Sequence, residues 1–263
     1  DRRQRQMCIR DSSIISYLTG KKSECADRSL IRKEMKERKQ EFVRMNQTQI
    51  NETKSKKWCK RLPLLAAFLI PLLISVIICI DHEVYPFGER CLLQVDMYHQ
   101  YCPFFTEFVD KLRSGESLMY SWTIGLGADF VSLFAYYLAS PLNWFILLCP
   151  KGYVIEFMSI LMILRISLCG LTFAYYLKKH FHTNHPAIVV FGTAYALSAF
   201  MAAYAWNVMW TDCLVLAPLI ILGVEQLVKE KKAALYYVTL ATAILSNYYI
   251  SIMICIFLVL YFL

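Results

Sequence analysis

Long apolar runs separated by short polar breaks set the architecture of this chain. Residues 63–80 carry no charge and are almost wholly apolar. At ~1.5 Å per residue that is just enough to cross a hydrocarbon layer of about 30 Å. Pro63 suits the first turn of this predicted helix, and Pro71 predicts a kink in its middle. Further apolar stretches at 154–177, 187–206 and 213–228 predict three more membrane helices. The region 234–263 is long enough for one span and most of another, with a polar break at Ser246-Asn247-Tyr248-Tyr249. Residues 130–150 are apolar but interrupted by Ser140-Pro141, so they predict two short helices, interfacial or re-entrant, rather than one crossing. Between them, 103–112 places Phe104, Phe105, Phe108, Val109 and Leu112 on one helical face, with Glu107, Asp110 and Lys111 elsewhere. That periodicity predicts an amphipathic helix in the membrane interface. The fold class that follows is all-α: a polytopic transmembrane helical bundle whose long first loop, 81–152, contains interfacial helices.

Charge orients the bundle. Residues 1–62 hold 18 Lys/Arg and 8 Asp/Glu, whereas the rest of the chain is slightly acidic, so the net charge of +8 belongs to the N-terminal segment alone. It does not mark a nucleic-acid partner. A basic flank beside the first span is what the positive-inside rule expects of a cytoplasmic tail, and 13–62 is read as that tail, its basic end at 54–61 lying against anionic headgroups. If 130–150 does not cross, Lys178-Lys179 and the lysines at 229–232 both fall inside, as the rule prefers; a single crossing there would put both outside. The first parity places three polar segments on one external face: the loop at 81–129, the loop at 207–212, and 246–249. Both ends of the chain are abrupt. The run Met7-Cys8-Ile9-Arg10-Asp11-Ser12 back-translates to a transposase adapter used in sequencing libraries, so 1–12 is expected to be adapter-derived; natural upstream coding sequence in raw reads would overturn that. The apolar run at 252–263 has no polar flank, so the protein is expected to be longer and this fragment to be inactive alone.

Few residues have the setting for chemistry. Asp96 leads: in Leu92-Leu93-Gln94-Val95-Asp96-Met97-Tyr98-His99-Gln100-Tyr101 a carboxylate stands among apolar and aromatic neighbours near the membrane surface. Reduced hydration there would raise its pKa toward that of a general base. A helix cap or structural hydrogen bond is the plainer reading. His99 and Gln100 follow on the same helical face. Arg165 lies mid-way along a predicted span, where a charge is costly and must face a partner or a cavity; it either binds a lipid phosphate or pairs with a helical neighbour, and the residues alone do not choose. Glu156 on the same span is a weaker candidate. Asn207, Trp210 and Asp212 form a polar cluster, although Trp210 suits an interface anchor equally. Asn247, Tyr248 and Tyr249 break an apolar region, or simply turn it. His180, His182 and His185 lack a carboxylate or thiol beside them and do not read as a metal site. Gly125-Leu126-Gly127 lacks the strand–helix context of a phosphate loop. The ten cysteines show no CxxC pair; a Cys91–Cys102 disulfide is the less favoured reading of the one loop they share.

An ordered set of short motifs resembles the YfhO family of bacterial membrane proteins: Pro86-Phe87-Gly88, Val95-Asp96-Met97-Tyr98-His99-Gln100-Tyr101, Tyr120-Ser121 with Gly125-Leu126-Gly127, Tyr136-Tyr137-Leu138-Ala139-Ser140-Pro141, Tyr195-Ala196-Leu197-Ser198, Trp210-Thr211-Asp212 and Ser246-Asn247-Tyr248-Tyr249. The resemblance spans about 63–263. The family is similar to the GT-C glycosyltransferases, which are polytopic, take a sugar from a polyprenyl-phosphate donor and work at the outer face. It implies a GT-C-like bundle and transfer of a sugar to a cell-envelope polymer such as lipoteichoic or wall teichoic acid. The acidic residue of the first external loop would be Asp96, as catalytic base. Tyr98, His99, Gln100, Arg165, Asn207, Trp210, Asp212, Asn247 and Tyr248 would bind substrate. Arg165, or else Arg90, Lys111 or Arg113, would stabilise the leaving phosphate. No cofactor is required; a divalent metal is compatible, but no paired carboxylate motif demands one. The expected partners are the polyprenyl-phosphate sugar, the polymer acceptor and the lipid bilayer, and not nucleic acid. Later spans and any C-terminal external domain are absent from this chain, so residues there cannot be carried over. The competing readings are a flippase for lipid-linked sugar, which needs a polar pathway through the spans, and a non-catalytic membrane assembly factor.

Overall fold

The computed structural model describes residues 61–150 and 152–263. The adapter-like segment 1–12 and nearly all of the basic tail expected over 13–62 lie outside the described residues. The first span is helix α1, Arg61–Asp81, and Pro71 sits within it without ending it. A turned segment follows, tied by Tyr85 and Arg90 through backbone hydrogen bonds. The chain then enters a π-helical turn, Met97–Tyr101, which runs into α2, Cys102–Ser114. Gly115, at φ 72°, stops α2 in the left-handed conformation that costs glycine little.

The amphipathic pattern expected for 103–112 is present, with one exception. Phe105, Phe108 and Val109 are buried as the periodicity requires, but so is Lys111. Its ammonium is held by the carbonyls of Ser117 and Tyr120, at 3.3 and 2.9 Å, by Glu107 at 3.5 Å, and over the face of Phe130. A charge can be buried there because every direction it faces is polar or π-rich. The Tyr120 carbonyl belongs to a small antiparallel hairpin, β1 Tyr120–Ser121 and β2 Ala128–Asp129, with Tyr120 opposite Asp129.

Asp129 caps the next segment, accepting from Val131 N at 3.0 Å. The apolar stretch expected not to cross once is broken as Ser140-Pro141 predicts. Helix α3, Phe130–Leu133, continues through a π turn, Phe134–Leu138, and a 3-10 helix, Pro141–Leu148, leaves at 101° to it. Ser140 accepts from Leu142 N, and proline starts the second limb.

Three longer spans follow. Helix α4, Val154–His180, has 27 residues. The stretch expected at 187–206 is divided into α5, Ala187–Ala196, and α6, Ala199–Tyr204, because Ser198 turns outward to cap Met201 N. Helix α7, Val208–Glu230, starts earlier than expected. The segment 207–212, read from sequence as an external loop, is therefore corrected: Asn207 is the residue before the helix, and Trp210 and Asp212 lie inside it. The buried apolar side chains of Val208 and Met209 draw this turn into the bundle. Finally α8, Ala234–Ser246, and α9, Tyr248–Phe262, meet at Asn247. With 13 and 15 residues they reach only about 20–22 Å each.

Pairwise contacts fix the helix directions. Helix α1 lies against α4 at Ala67 and Gly170, where the absence of a Cβ on Gly170 lets the Ala67 carbonyl approach; an added Cβ would sit 2.4 Å from that oxygen. Gly192 of α5 meets the Gly170 carbonyl in the same way. Arg165 meets Asp212, and His180 meets Glu225, so α4 and α7 run parallel. Cys213 contacts the Ala243 carbonyl while Gly223 abuts Tyr236, so α7 and α8 run antiparallel. One end of the bundle thus gathers Lys178, Lys179, His180 and the lysines at 229–232. The other gathers the 81–153 segment, Asn207 and Asn247. The main apolar core lies beneath this second end, from Met97, Tyr101, Phe105 and Phe108 to Leu138, Ile146, Met158 and Val208.

Candidate functional site

At the deepest point of the second end is a closed ionic network. Arg165 is fully buried on α4. Its Nε donates to Asp212 Oδ1 at 3.0 Å, and its Nη2 lies 2.7 Å from Asp212 Oδ2, an ion-pair contact outside hydrogen-bond alignment. Nη2 also donates to Ser140 Oγ at 3.1 Å and Asn143 Oδ1 at 2.9 Å. Asn143 in turn donates to the Leu138 carbonyl at 3.0 Å, across the bend. A guanidinium inside a span survives only where dipoles and a counter-charge replace water. Here they come from Ser140 at the bend, from Asn143 on its second limb and from α7. The guanidinium therefore faces protein partners, with Nη1 buried and unpaired.

Above this network the polar groups come from four elements. Tyr101 donates its hydroxyl to Asn207 Oδ1 at 3.1 Å. Burial first, and the negative charge of Asp96 second, push the Tyr101 phenol well above its usual pKa, so it stays a protonated donor. Gln100 donates to Tyr137 Oη at 3.4 Å. Asn247 is fully buried; its Nδ2 reaches the Tyr136 carbonyl at 3.3 Å while its Oδ1 accepts from Ile250 N and starts α9. The Tyr136 ring contacts Tyr137 and Tyr248 edge to face, at 4.7 and 5.6 Å. Asn207 Nδ2 and Trp210 Nε1 are buried donors without a protein acceptor, as is one oxygen of Glu156 as an acceptor. Buried polar atoms rarely go unpaired, since each costs roughly 1–3 kcal/mol.

Asp96 stands at the head of the π turn. It is exposed, not enclosed among apolar groups as its sequence neighbours suggested, and it makes no side-chain cap bond. Tyr98 and His99 are exposed beside it, ring to ring at 5.3 Å. Of the cations considered for a leaving phosphate, Arg165 and Lys111 are enclosed by the partners already described, and Arg113 donates to the Cys149 carbonyl. Arg90 is exposed. Cys91 and Cys102 are both free thiols. Among the described residues no three His, Cys, Asp or Glu side chains gather closely enough to hold a metal ion; His180 instead lies 2.9 Å from Glu225.

Two hollows flank this end. One, of about 400 Å³, is apolar and lies between α1, α4 and the α5–α6 break, lined by Ile74, Ile78, Leu92, Met162, Ile166 and Leu197. The other, of about 700 Å³, lies between the Met97–Ser114 helix and the hairpin tip. It takes in Tyr98, His99 and Gln100 together with Glu107 and Thr123, two residues that sequence reasoning passed over because Glu107 reads as an ordinary solvent-facing charge.

With this geometry in hand, the family can be decided. The family described as "Bacterial membrane protein YfhO" matches residues 66–263. The chain belongs to the YfhO family. No curated protein and no solved structure matches it. The YfhO match begins inside α1 and takes in every element of the polar end, from the Asp96 turn to Asn247.

Proposed function

We propose that this YfhO-family chain is part of an enzyme that transfers a sugar from a polyprenyl-phosphate donor to a cell-envelope polymer, such as lipoteichoic or wall teichoic acid, outside the cell. The observation that carries this reading is one juxtaposition. The apolar hollow between α1, α4 and α5 is lined in part by Leu92, four residues from an exposed carboxylate, Asp96, at the end of the bundle where unpaired buried donors collect. An isoprenoid chain needs an apolar groove that opens sideways to lipid, and its head needs polar groups at the groove's end. The basic ends of α4 and α7 favour the inside, which turns Asp96 outward and the N-terminus inward.

In this mechanism Asp96 accepts the proton of an acceptor hydroxyl as that oxygen attacks the anomeric carbon. The new C–O bond forms as the bond to the phosphate oxygen breaks, with inversion, and the polyprenyl phosphate leaves with the electron pair. Arg90, exposed two residues before Leu92, is the cation we assign to that phosphate. The Arg165–Asp212 pair shapes the site from below by holding the bent segment.

Asp96→Asn in the full-length gene is the test. Loss of polymer glycosylation with normal membrane insertion is expected; retained glycosylation would end the enzyme reading at this residue. A flippase would need a polar path through the bundle. The buried Arg165–Asp212 pair is instead sealed by Ser140 and Asn143 at one level.

A further inference from the structure

Within the proposed transferase reading, the 700 Å³ cleft beside Asp96 raises the question of what it can bind. Its floor is α2, through Phe104, Thr106 and Glu107; one wall is Thr123, Ile124 and Gly125 of the hairpin; the other is the π turn with Tyr98, His99 and Gln100. The lining mixes aromatic faces with hydroxyl, amide and carboxylate groups, which is the chemistry that binds a sugar ring: C–H faces against an aromatic, hydroxyls against fixed donors and acceptors. Tyr98 presents an exposed ring at this edge.

Glu107 is the fixed point. Its Oε1 accepts from Ser121 Oγ at 2.6 Å and lies 3.5 Å from Lys111 Nζ, itself buried. Ser121 Oγ also lies 2.9 Å from Thr123 Oγ1, so carboxylate, serine and threonine form one chain along the cleft wall. Burial pushes the Glu107 carboxyl up, but the bonds from Ser121 and Thr123 and the Lys111 charge outweigh it and leave it below its ordinary value. It is a carboxylate at neutral pH. Glycine supports the wall: a Cβ on Gly127 would sit 2.1 Å from the Tyr120 hydroxyl.

Charge then separates two ligands. Glu107 in the cleft is an anion, the exposed Asp96 stands two residues before Tyr98 of its lining, and Lys111 is spent inside the protein. Such a cleft repels a phosphate and accepts neutral hydroxyls. We infer that the cleft between Tyr98–Gln100, Phe104–Glu107 and Thr123–Gly125 is a carbohydrate subsite that takes an uncharged sugar ring, with Glu107 accepting a ring hydroxyl and Tyr98 stacking on the ring face. The phosphate lies on the other side of the Asp96 turn, toward Arg90 and the apolar hollow.

The inference rests on the transferase reading but is tested by binding alone. The chain in lipid nanodiscs is titrated with methyl α-D-glucopyranoside, followed by saturation-transfer NMR, with inorganic phosphate as competitor. Binding of the glycoside is expected, unaffected by phosphate. Tyr98→Ala, at an exposed position that folding tolerates, and Glu107→Gln are each expected to weaken it roughly tenfold, the scale of one lost stacking or charge-assisted contact. Absence of glycoside binding, undiminished binding in Tyr98→Ala, or displacement by phosphate would each overturn the subsite. Glycoside binding intact while deletion of the full-length gene leaves polymer glycosylation unchanged would refute the transferase reading and leave the subsite standing.

Discussion

Removing one partner of the Arg165–Asp212 pair gives the sharpest energetic prediction. Asp212→Leu leaves a guanidinium fully buried in the bundle with only Ser140 and Asn143 to face. Arg165→Met leaves a buried carboxylate and strips Ser140 and Asn143 of their donor. Breaking a buried pair from one side costs about 3–5 kcal/mol. The double variant Arg165→Met/Asp212→Leu removes both charges and leaves mainly Ser140 and Asn143 without a donor, a loss of roughly 1–3 kcal/mol. The two single losses add to roughly 6–10 kcal/mol, so the cycle should show a coupling of at least about 3 kcal/mol. Neutral hydrogen bonds between membrane helices average nearer 0.6 kcal/mol, so a coupling of this size requires charge. The assay is reversible unfolding by SDS titration in bicelles, on the four proteins of the cycle. Additive losses, or a double variant less stable than either single one, would refute the claim that these two residues form one structural unit.

Other consequences are equally checkable. Gly170→Ala should destabilise the α1–α4 crossing by about 1–3 kcal/mol, because the added carbon meets the backbone oxygen of Ala67 and not a side chain that can move; the same titration measures it. Tyr101→Phe should cost about 1–3 kcal/mol by leaving Asn207 Oδ1 buried without its donor, and Asn207→Ala in addition should add little. Because Glu107 titrates below its ordinary value in the folded chain, its bonds stabilise the hairpin above the unfolded pKa of about 4.3, and that contribution falls away as pH drops through the lower folded value. Trp122, edge to face with Tyr120 at 4.8 Å, reports this in a single-tryptophan background: its fluorescence should hold steady from pH 8 to pH 5 and change only in stronger acid, and Glu107→Gln should remove the transition.

Hydropathy and charge made the spans legible because a bilayer filters on length and polarity, both local properties. Ser140-Pro141 announced the bend because serine caps and proline starts a helix whatever surrounds them. What lay beyond reach was non-local. Arg165 could be recognised as needing a partner, but Asp212 is 47 residues away and Ser140 is 25 away on the other side, and nothing in the spacing joins them. The segment 207–212 read as a loop because its polar residues stand at the edge of an apolar run, whereas Asn207 and Asp212 are polar so that they can bond inside the bundle. Lys111 misled in the same direction, since a lysine on an amphipathic helix is normally solvated. Glu107 was passed over for want of any view of the hairpin that folds across it.

These misreadings share a cause that bears on how the site is built. Besides its apolar core, the second end of the bundle is tied together by buried polar contacts: Tyr101 to Asn207, Asn247 to the Tyr136 carbonyl, Arg165 to Ser140, Asn143 and Asp212. The first-loop turn carrying Asp96, the bent segment and the ends of α7 and α8 are thereby linked in series, each through a group that cannot be satisfied without its neighbour. Such a chain specifies geometry strongly, because a slipped register leaves several buried groups unpaired at once. It also means that Arg165, which meets no substrate in this reading, positions the residues that do. Loss of the guanidinium should therefore lower turnover while leaving glycoside affinity at the Tyr98 cleft nearly intact, whereas Tyr98→Ala should do the reverse.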